Sequence, residues 1–329
     1  MGKELSIVTV TLNTAIDRVL EADNFAVGGH VRANQKLRYP AGKGINVSRT
    51  LARLGWQNVA TGYIGETHAA EYNEFLRSIK PGRINNQLLA VRGATRENIT
   101  VLDPVNHTDT HIRTEGYEIS EHVSGRIISK VGLLARQGTM IVFSGSLPPG
   151  MTVTDYNTLV YVAISAGSQV VLDVDGDVLK SLVQIGTGDH AETKPFFMVK
   201  PNLHELEEML GIGSLQSEDE IVAAAKQIAG VVQWVVVTLG EGGAIMISPD
   251  GAAWRGRCDV LSEEVQNTVG CGDTMLAGMI DGQMRDAEPE EVLRRALALA
   301  TANAMEPGVA EYELSLVAEL ETRTQVVKI

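Results

Sequence analysis

Short, nearly all-apolar runs alternate with amphipathic stretches along this chain, and that alternation limits the fold more than any other feature. The runs are Ile7–Leu12, Val59–Ile64, Met140–Phe143, Val170–Asp173, Phe197–Val199 and Trp234–Leu239. A strand with one wet face alternates apolar and polar residues. A strand that is apolar throughout must be covered on both faces, as in a parallel sheet between helices. The stretches Ile45–Leu54, Ala69–Ile79, Glu121–Ala135, Thr154–Ala166 and Glu218–Ala229 carry the helical period. The pattern predicts an α/β fold with a central, mostly parallel sheet between helices. Beyond about residue 240 it turns to short hairpin strands and two helices, Thr274–Met284 and Glu290–Met305. Residues 13–40 and about 85–117 have no helical period and mix polar with β-prone residues. They are expected to form one small β-sheet lid on a single domain spanning 1–329.

The formal net charge of −13 argues against nucleic acid or an anionic membrane as partner. Cys258 and Cys271 are the only cysteines, too few for a disulfide framework. No apolar run approaches the roughly 20 residues that span a bilayer. Met1-Gly2-Lys3-Glu4-Leu5 lacks a signal-peptide core. A soluble, cytoplasmic protein is expected.

Two glycine-rich turns open helices. In Asn267-Thr268-Val269-Gly270-Cys271-Gly272-Asp273-Thr274, glycines let backbone N–H groups crowd toward a ligand at a helix start, beside a carboxylate. That pairing suits phosphoryl transfer to an alcohol, with Asp273 taking the hydroxyl proton. The plain alternative is Asp273 as an N-cap. In Pro40-Ala41-Gly42-Lys43-Gly44-Ile45-Asn46, Gly44 stands where a Walker A loop has Ser or Thr. A dinucleotide fingerprint after the first strand is missing as well, which disfavours a dehydrogenase. What remains is a helix N-terminus with a cation, Lys43, and an amide, Asn46, able to hold a phosphate or a sugar. A solvated Lys on a tight turn is the alternative.

Other candidates sit at strand ends, where ligands of open α/β sheets collect. Asp17, after Asn13-Thr14-Ala15-Ile16, could accept sugar hydroxyls or cap a turn. Away from those ends, in the second lid excursion, Arg96 in Thr95-Arg96-Glu97-Asn98 suits bidentate phosphate contact or is a plain surface Arg on a lid strand. Ser146 in Ser144-Gly145-Ser146-Leu147-Pro148-Pro149-Gly150 could touch a hydroxyl, and a structural turn explains the segment equally well. In Lys200-Pro201-Asn202-Leu203-His204-Glu205, Asn202 and Glu205 form either a capping box or oxygen donors near Mg²⁺ and its waters. His204 is read as surface. The glycines of Thr238-Leu239-Gly240-Glu241-Gly242-Gly243 could admit an adenosine or build a plain hairpin.

The joint order of these motifs resembles the PfkB (ribokinase-like) family of sugar kinases over essentially the whole chain. The Gly-Lys-Gly-Ile-Asn-Val and Thr-Arg-Glu-Asn-Ile versions are similar to its phosphosugar branch, 1-phosphofructokinase and tagatose-6-phosphate kinase. The resemblance implies ATP and Mg²⁺ as cofactors, and a lid that often pairs two subunits. It implies Asp273 as base, with Gly270, Cys271 and Gly272 as anion hole. Asp17, Gly42, Lys43, Asn46, Arg96 and Ser146 would hold the sugar phosphate. Lys200, Asn202 and Glu205 would sit near ATP phosphates and Mg²⁺, and Thr238, Gly240, Gly243 and Thr301 would line the nucleotide pocket. Fructose-1-phosphate is the expected acceptor, with tagatose- or fructose-6-phosphate as alternatives that small changes in the lid near His30 and Arg32 would select. A kinase of unphosphorylated sugars has no need of paired cations, and a noncatalytic sugar-phosphate sensor has no need of Asp273.

Three departures from the family pattern stand out. Thr14 replaces a Pro, which is expected to loosen the turn carrying Asp17. Ala41 replaces a Gly, so its backbone must avoid positive φ. Cys271 replaces an Ala, and a thiol at a helix start is expected to have a lowered pKa and to be open to alkylation.

Overall fold

The computed structural model describes residues 6–174, 176–186 and 194–329; the expectation drawn from residues 1–5 lies outside them. In chain order the elements are β1 (Ser6–Thr11), β2 (Ala15–Glu21), β3 (Asn34–Ala41), α1 (Lys43–Arg53), β4 (Gln57–Gly65), α2 (Ala69–Ser78), β5 (Arg83–Val91), β6 (Arg96–Asp103), β7 (Thr108–Arg113) and α3 (Glu121–Leu134). There follow β8 (Thr139–Gly145), α4 (Val153–Ser165), β9 (Gln169–Val174), α5 (Gly176–Gly186), β10 (Phe196–Val199), α6 (Leu203–Leu210), α7 (Glu218–Ile228) and β11 (Val232–Thr238). The chain ends with β12 (Ala244–Ile247), β13 (Ala253–Cys258), α8 (Cys271–Met284), α9 (Pro289–Ala304), α10 (Leu314–Arg323) and β14 (Thr324–Lys328).

Ten strands form the central sheet in the order β14-β13-β12-β11-β10-β9-β8-β1-β4-β5. From β5 to β11 neighbouring strands run parallel, and β12, β13 and β14 extend the β11 edge antiparallel. The all-apolar strands divide their side chains between two cores. Val8, Val10, Ile141, Phe143, Val170 and Leu172 pack with α3–α7 on one face. Ile7, Met140, Val142 and Val171 meet residues of α1, α8 and α9 on the other. The period of two along each strand requires apolar residues at odd and even positions alike.

A separate four-stranded sheet, β3-β2-β6-β7, pairs β2 with β6 in parallel. Both excursions contribute to it, with one correction to their bounds. Residues 85–91, expected in the lid, belong to β5, which pairs with β4 at the edge of the central sheet. An edge strand carries mixed polarity, so Arg83–Val91 read like lid sequence. The turn at Thr14 is also tighter than expected. Thr14 donates its N–H to the Tyr117 hydroxyl at 3.0 Å and its Oγ1 to the Tyr63 carbonyl at 2.8 Å. Two side-chain anchors replace the rigidity a Pro would have given. Ala41 ends β3 in register with Ala15 and takes no positive φ.

Candidate active site

The carboxyl ends of the parallel strands open into one cleft of about 1210 Å³ under the small sheet. Asn13 after β1, Ser146 after β8, Asp173 on β9, Lys200 after β10 and Thr238 at the end of β11 all line it. The starts of α1 and α8 complete its floor with Gly42, Lys43, Asn46, Gly270, Gly272 and Asp273, and the small sheet adds Asp17 and Arg96.

Helix α1 starts close against β1. A Cβ on Gly44 would lie 2.4 Å from Thr11 Oγ1, so only glycine lets the helix approach this near. The approach brings Asn46 across to α8, where its Nδ2 donates to Asp273 Oδ2 at 2.8 Å. Asn46, expected on the sugar, is therefore a hydrogen-bond partner of the candidate base. Gly270 caps α8 with φ 76°, the left-handed region that favours glycine. The first N–H groups of α8 follow it, and such groups have no acceptor inside their helix.

Two buried carboxylates face each other's field here. Burial pushes Asp273 up to about 7, and the charge of Asp173 pushes the same way, against the Asn46 hydrogen bond and the ammonium groups of Lys43 and Lys200. Asp173 also pays for burial, yet Lys200 and Lys43 outweigh it and hold its carboxyl below the ordinary range. Its Oδ1 lies 3.2 Å from Lys200 Nζ and 3.7 Å from Lys43 Nζ. Sequence reasoning missed Asp173. The signal was a single acid at the end of the apolar run Val170-Val171-Leu172, where a parallel sheet delivers its functional groups.

Lys43 and Arg96 work at different ends of the cleft. Lys43 acts on Asp173 and Asp273. Arg96 acts on Asp17 and donates Nη2 to the Asn13 carbonyl at 3.3 Å. Asp17 is buried, and burial raises its carboxyl against a hydrogen bond from Asn98 and the positive charges of Arg96, Arg49 and Arg113. Ser146 accepts from Asn13 Nδ2 at 3.1 Å. Asn202 and Glu205 line the cleft as a full capping box. Asn202 N–H donates to Glu205 Oε2, and Glu205 N–H to Asn202 Oδ1, each at 2.8 Å. Capping and lining coexist, because the cap stands at a strand end. His204 is exposed and pairs with Glu208.

Several expected residues do not line the cleft. Gly240 and Gly243 make the turn between β11 and β12, where the Gly243 N–H donates to the Gly240 carbonyl. A Cβ on Gly243 would lie 2.1 Å from the Gly256 carbonyl, so this glycine serves packing. Thr301 lies on α9 outside the lining, and so do His30 and Arg32 in the β2–β3 connection. The Cys271 thiol is also outside it, and its pKa is shifted up where a lowering was expected. Burial pushes it up, and the Asp273 charge adds to that against a hydrogen bond from Asn303. The expected alkylation does not follow from this setting: a helix start lowers a thiol only when the thiolate is solvated or paired.

Residues 6–314 match the family described as pfkB family carbohydrate kinase. The chain belongs to this family. It is a sugar phosphotransferase, and among similar curated proteins is the 1-phosphofructokinase of Bacillus subtilis (strain 168), 29% identical over 317 residues, 96% of this chain and 98% of that protein. Phosphofructokinase-2 from Escherichia coli, solved in complex with potassium, superposes with a TM-score of 0.85 at 25% identity over 97% of the kinase and 98% of that chain. A Thermotoga maritima protein described as a possible 1-phosphofructokinase gives 0.83 at 27% over 98% and 99%. The ribokinase-like arrangement of one large, mostly parallel sheet and a smaller one is common to them. No helix among the described residues is long and apolar enough to cross a membrane.

Proposed function

We propose that the kinase transfers the γ-phosphoryl of ATP to a ketohexose phosphate, with fructose-1-phosphate giving fructose-1,6-bisphosphate as the leading reaction. The supporting observation is the division of charge along the cleft. Arg96, with Arg113 nearby on β7, stands at the lid end, and Asp273 with Lys43 and Lys200 stands at the other. A phosphosugar bound by its phosphate at the lid end presents its far hydroxyl to Asp273. A furanose with a phosphate at one terminus and a primary hydroxyl at the other fits that span, as do tagatose- and fructose-6-phosphate.

Asp273 takes the proton of that hydroxyl as its oxygen bonds to the γ-phosphorus, and the bond from phosphorus to the ADP oxygen breaks. The N–H groups of Gly270, Cys271 and Gly272 receive the charge on the transferring oxygens. Lys200 supports them, since its Nζ lies 3.3 Å from where a Gly272 side chain would begin. Asn46 holds the Asp273 carboxylate in place. Asp17 and Ser146 accept or donate hydrogen bonds to sugar hydroxyls. Lys43 and Lys200 lower the repulsion between two anionic substrates.

Mg²⁺ fits as an ion carried on ATP. No cluster of three ligating side chains exists among the described residues, but Asp173 Oδ2 is buried without a hydrogen-bond partner, and Glu205 is a second carboxylate lining the same cleft. When bound there the ion would neutralise phosphate charge. Pairing of two copies through the lid is part of the same proposal. Leu102 on β6 and Ile112 on β7 are exposed apolar residues of the small sheet, and Val105 and Val27 are exposed in its β6–β7 and β2–β3 connections.

Turnover of ATP with Mg²⁺ against fructose-1-phosphate, fructose-6-phosphate, tagatose-6-phosphate, fructose and ribose tests the reading. One phosphosugar should exceed the others and both unphosphorylated sugars. Equal rates with fructose would overturn the role of the lid cations. Tight binding of a sugar phosphate with no turnover would favour a sensor.

A further inference from the structure

Asn303 is fully buried near the end of α9, outside the cleft, and all its hydrogen-bonding capacity is used. Its Nδ2 donates to the Val269 carbonyl at 3.0 Å and lies 3.5 Å from Cys271 Sγ. Its Oδ1 accepts from the Ala310 N–H at 2.8 Å and from Thr274 Oγ1 at 3.2 Å. The orientation of the amide is fixed by chemistry, since a carbonyl can only accept and a backbone N–H can only donate.

These partners surround one residue. Val269 and Cys271 are the two neighbours of Gly270, and Thr274 lies in the first turn of α8. Ala310 follows Val309, whose methyl carbons stand 2.7 and 2.8 Å from where a Gly270 side chain would begin. Ala310 is itself held at φ 52°, a conformation a non-glycine residue keeps only when its surroundings impose it. One side chain thus clamps the loop before Gly270, the residue after it and the strained loop packed against it. We infer that Asn303 is the positioning residue of the anion hole, setting the direction of the Gly270–Gly272 amides without touching substrate.

The inference rests on the kinase reading, and a binding readout separates the two. Asn303→Ala is compared with wild type for kcat, for the KM of the sugar phosphate, and for affinity toward ADP alone and ADP with fluoroaluminate, a mimic of the transferring group. The expected result is a kcat lower by about a hundredfold with the sugar-phosphate KM within about threefold. The fluoroaluminate complex should bind about tenfold more weakly while ADP alone binds as before. If Asn303→Ala does not fold, Asn303→Asp carries the test: it keeps both accepted bonds and sets an oxygen against the Val269 carbonyl. Wild-type kcat per folded molecule and unchanged fluoroaluminate affinity, with only a lower Tm, would overturn the inference. Absence of turnover in the wild type would count against the kinase reading alone, since the fluoroaluminate comparison still reads the amides.

Discussion

Asp173 ends a strand between two lysines, whereas Asp273 opens a helix against an amide. Both are buried, with 3% and 6% of their surface exposed, so burial alone cannot separate them. Their neighbours do. Lys200 and Lys43 keep Asp173 ionised, and the resulting negative charge adds to burial in raising Asp273 to about 7. One carboxylate is fixed as a counter-charge and the other is set near neutrality, where a group can both take and release a proton. The difference comes from placement: β9 delivers its acid between the ends of α1 and β10, while α8 delivers its acid opposite Asn46.

Removing the proton acceptor should have the largest effect. Asp273→Ala is expected to lower kcat by about a thousandfold, measured by ADP release, with little change in sugar-phosphate affinity by titration. A loss under tenfold would mean that positioning alone carries the reaction. In the wild type, kcat/KM should fall as the pH drops through about 7, because the ionised base is lost there.

The lid end comes next. Arg96→Met is expected to raise the KM of the phosphosugar by about thirtyfold, the worth of one charge-assisted hydrogen bond, and to leave any slow turnover of the unphosphorylated sugar unchanged. An equal loss for both would place Arg96 on the hydroxyls and not on the phosphate.

Asp173→Asn sharpens the comparison itself. It removes the charge that raises Asp273, so the acid limb of the kcat/KM profile should move to lower pH. It also frees Lys43 and Lys200 from their shared carboxylate, and kcat should drop about tenfold through their displacement. An acid limb that stays in place would show that burial alone sets the base.

Much of this contrast could be read from the chain. The apolar runs foretold the parallel sheet because their composition leaves no wet face. The glycine turns foretold the two helix starts, since Gly44 and Gly270 occupy backbone positions other residues cannot take. What the sequence hid is what depends on distant partners. Asp173 looked like the tail of a strand until Lys43 and Lys200 closed on it from 130 and 27 residues away. Cys271 followed the rule for thiols at helix starts, but burial and the charge of Asp273 outweigh the hydrogen bond from Asn303. Thr14 seemed a weaker turn former than Pro, because Tyr63 and Tyr117 lie far along the chain. Gly240 and Gly243 have the spacing of a ligand loop and the surroundings of a hairpin. β5 has the composition of an edge strand, which does not say which sheet it edges.

The smallest expected effect concerns stability and separates the two carboxylates once more. The folded pKa of Asp273 lies above its unfolded value of 3.8, so the folded state takes up a proton more readily than the unfolded chain. Keeping this carboxylate ionised in the fold is therefore a cost, fully present above about 7 and gone below 3.8. Asp273→Asn removes the cost and keeps the shape. It should raise Tm at pH 8 by a few degrees, of the order that about 1 kcal/mol gives a chain of this size, and the gain should shrink as pH falls from 7 toward 4. Asp173 is shifted the other way: its ionised form is favoured by folding, so its contribution is present above its unfolded pKa and lost as pH falls through its lowered folded value. Asp173→Asn should therefore lower Tm at pH 8, because it leaves the buried Lys200 and the partly exposed Lys43 beside a neutral amide. If both substitutions moved Tm in the same direction at pH 8, the two carboxylates would share one environment, and the division of labour between them would fail.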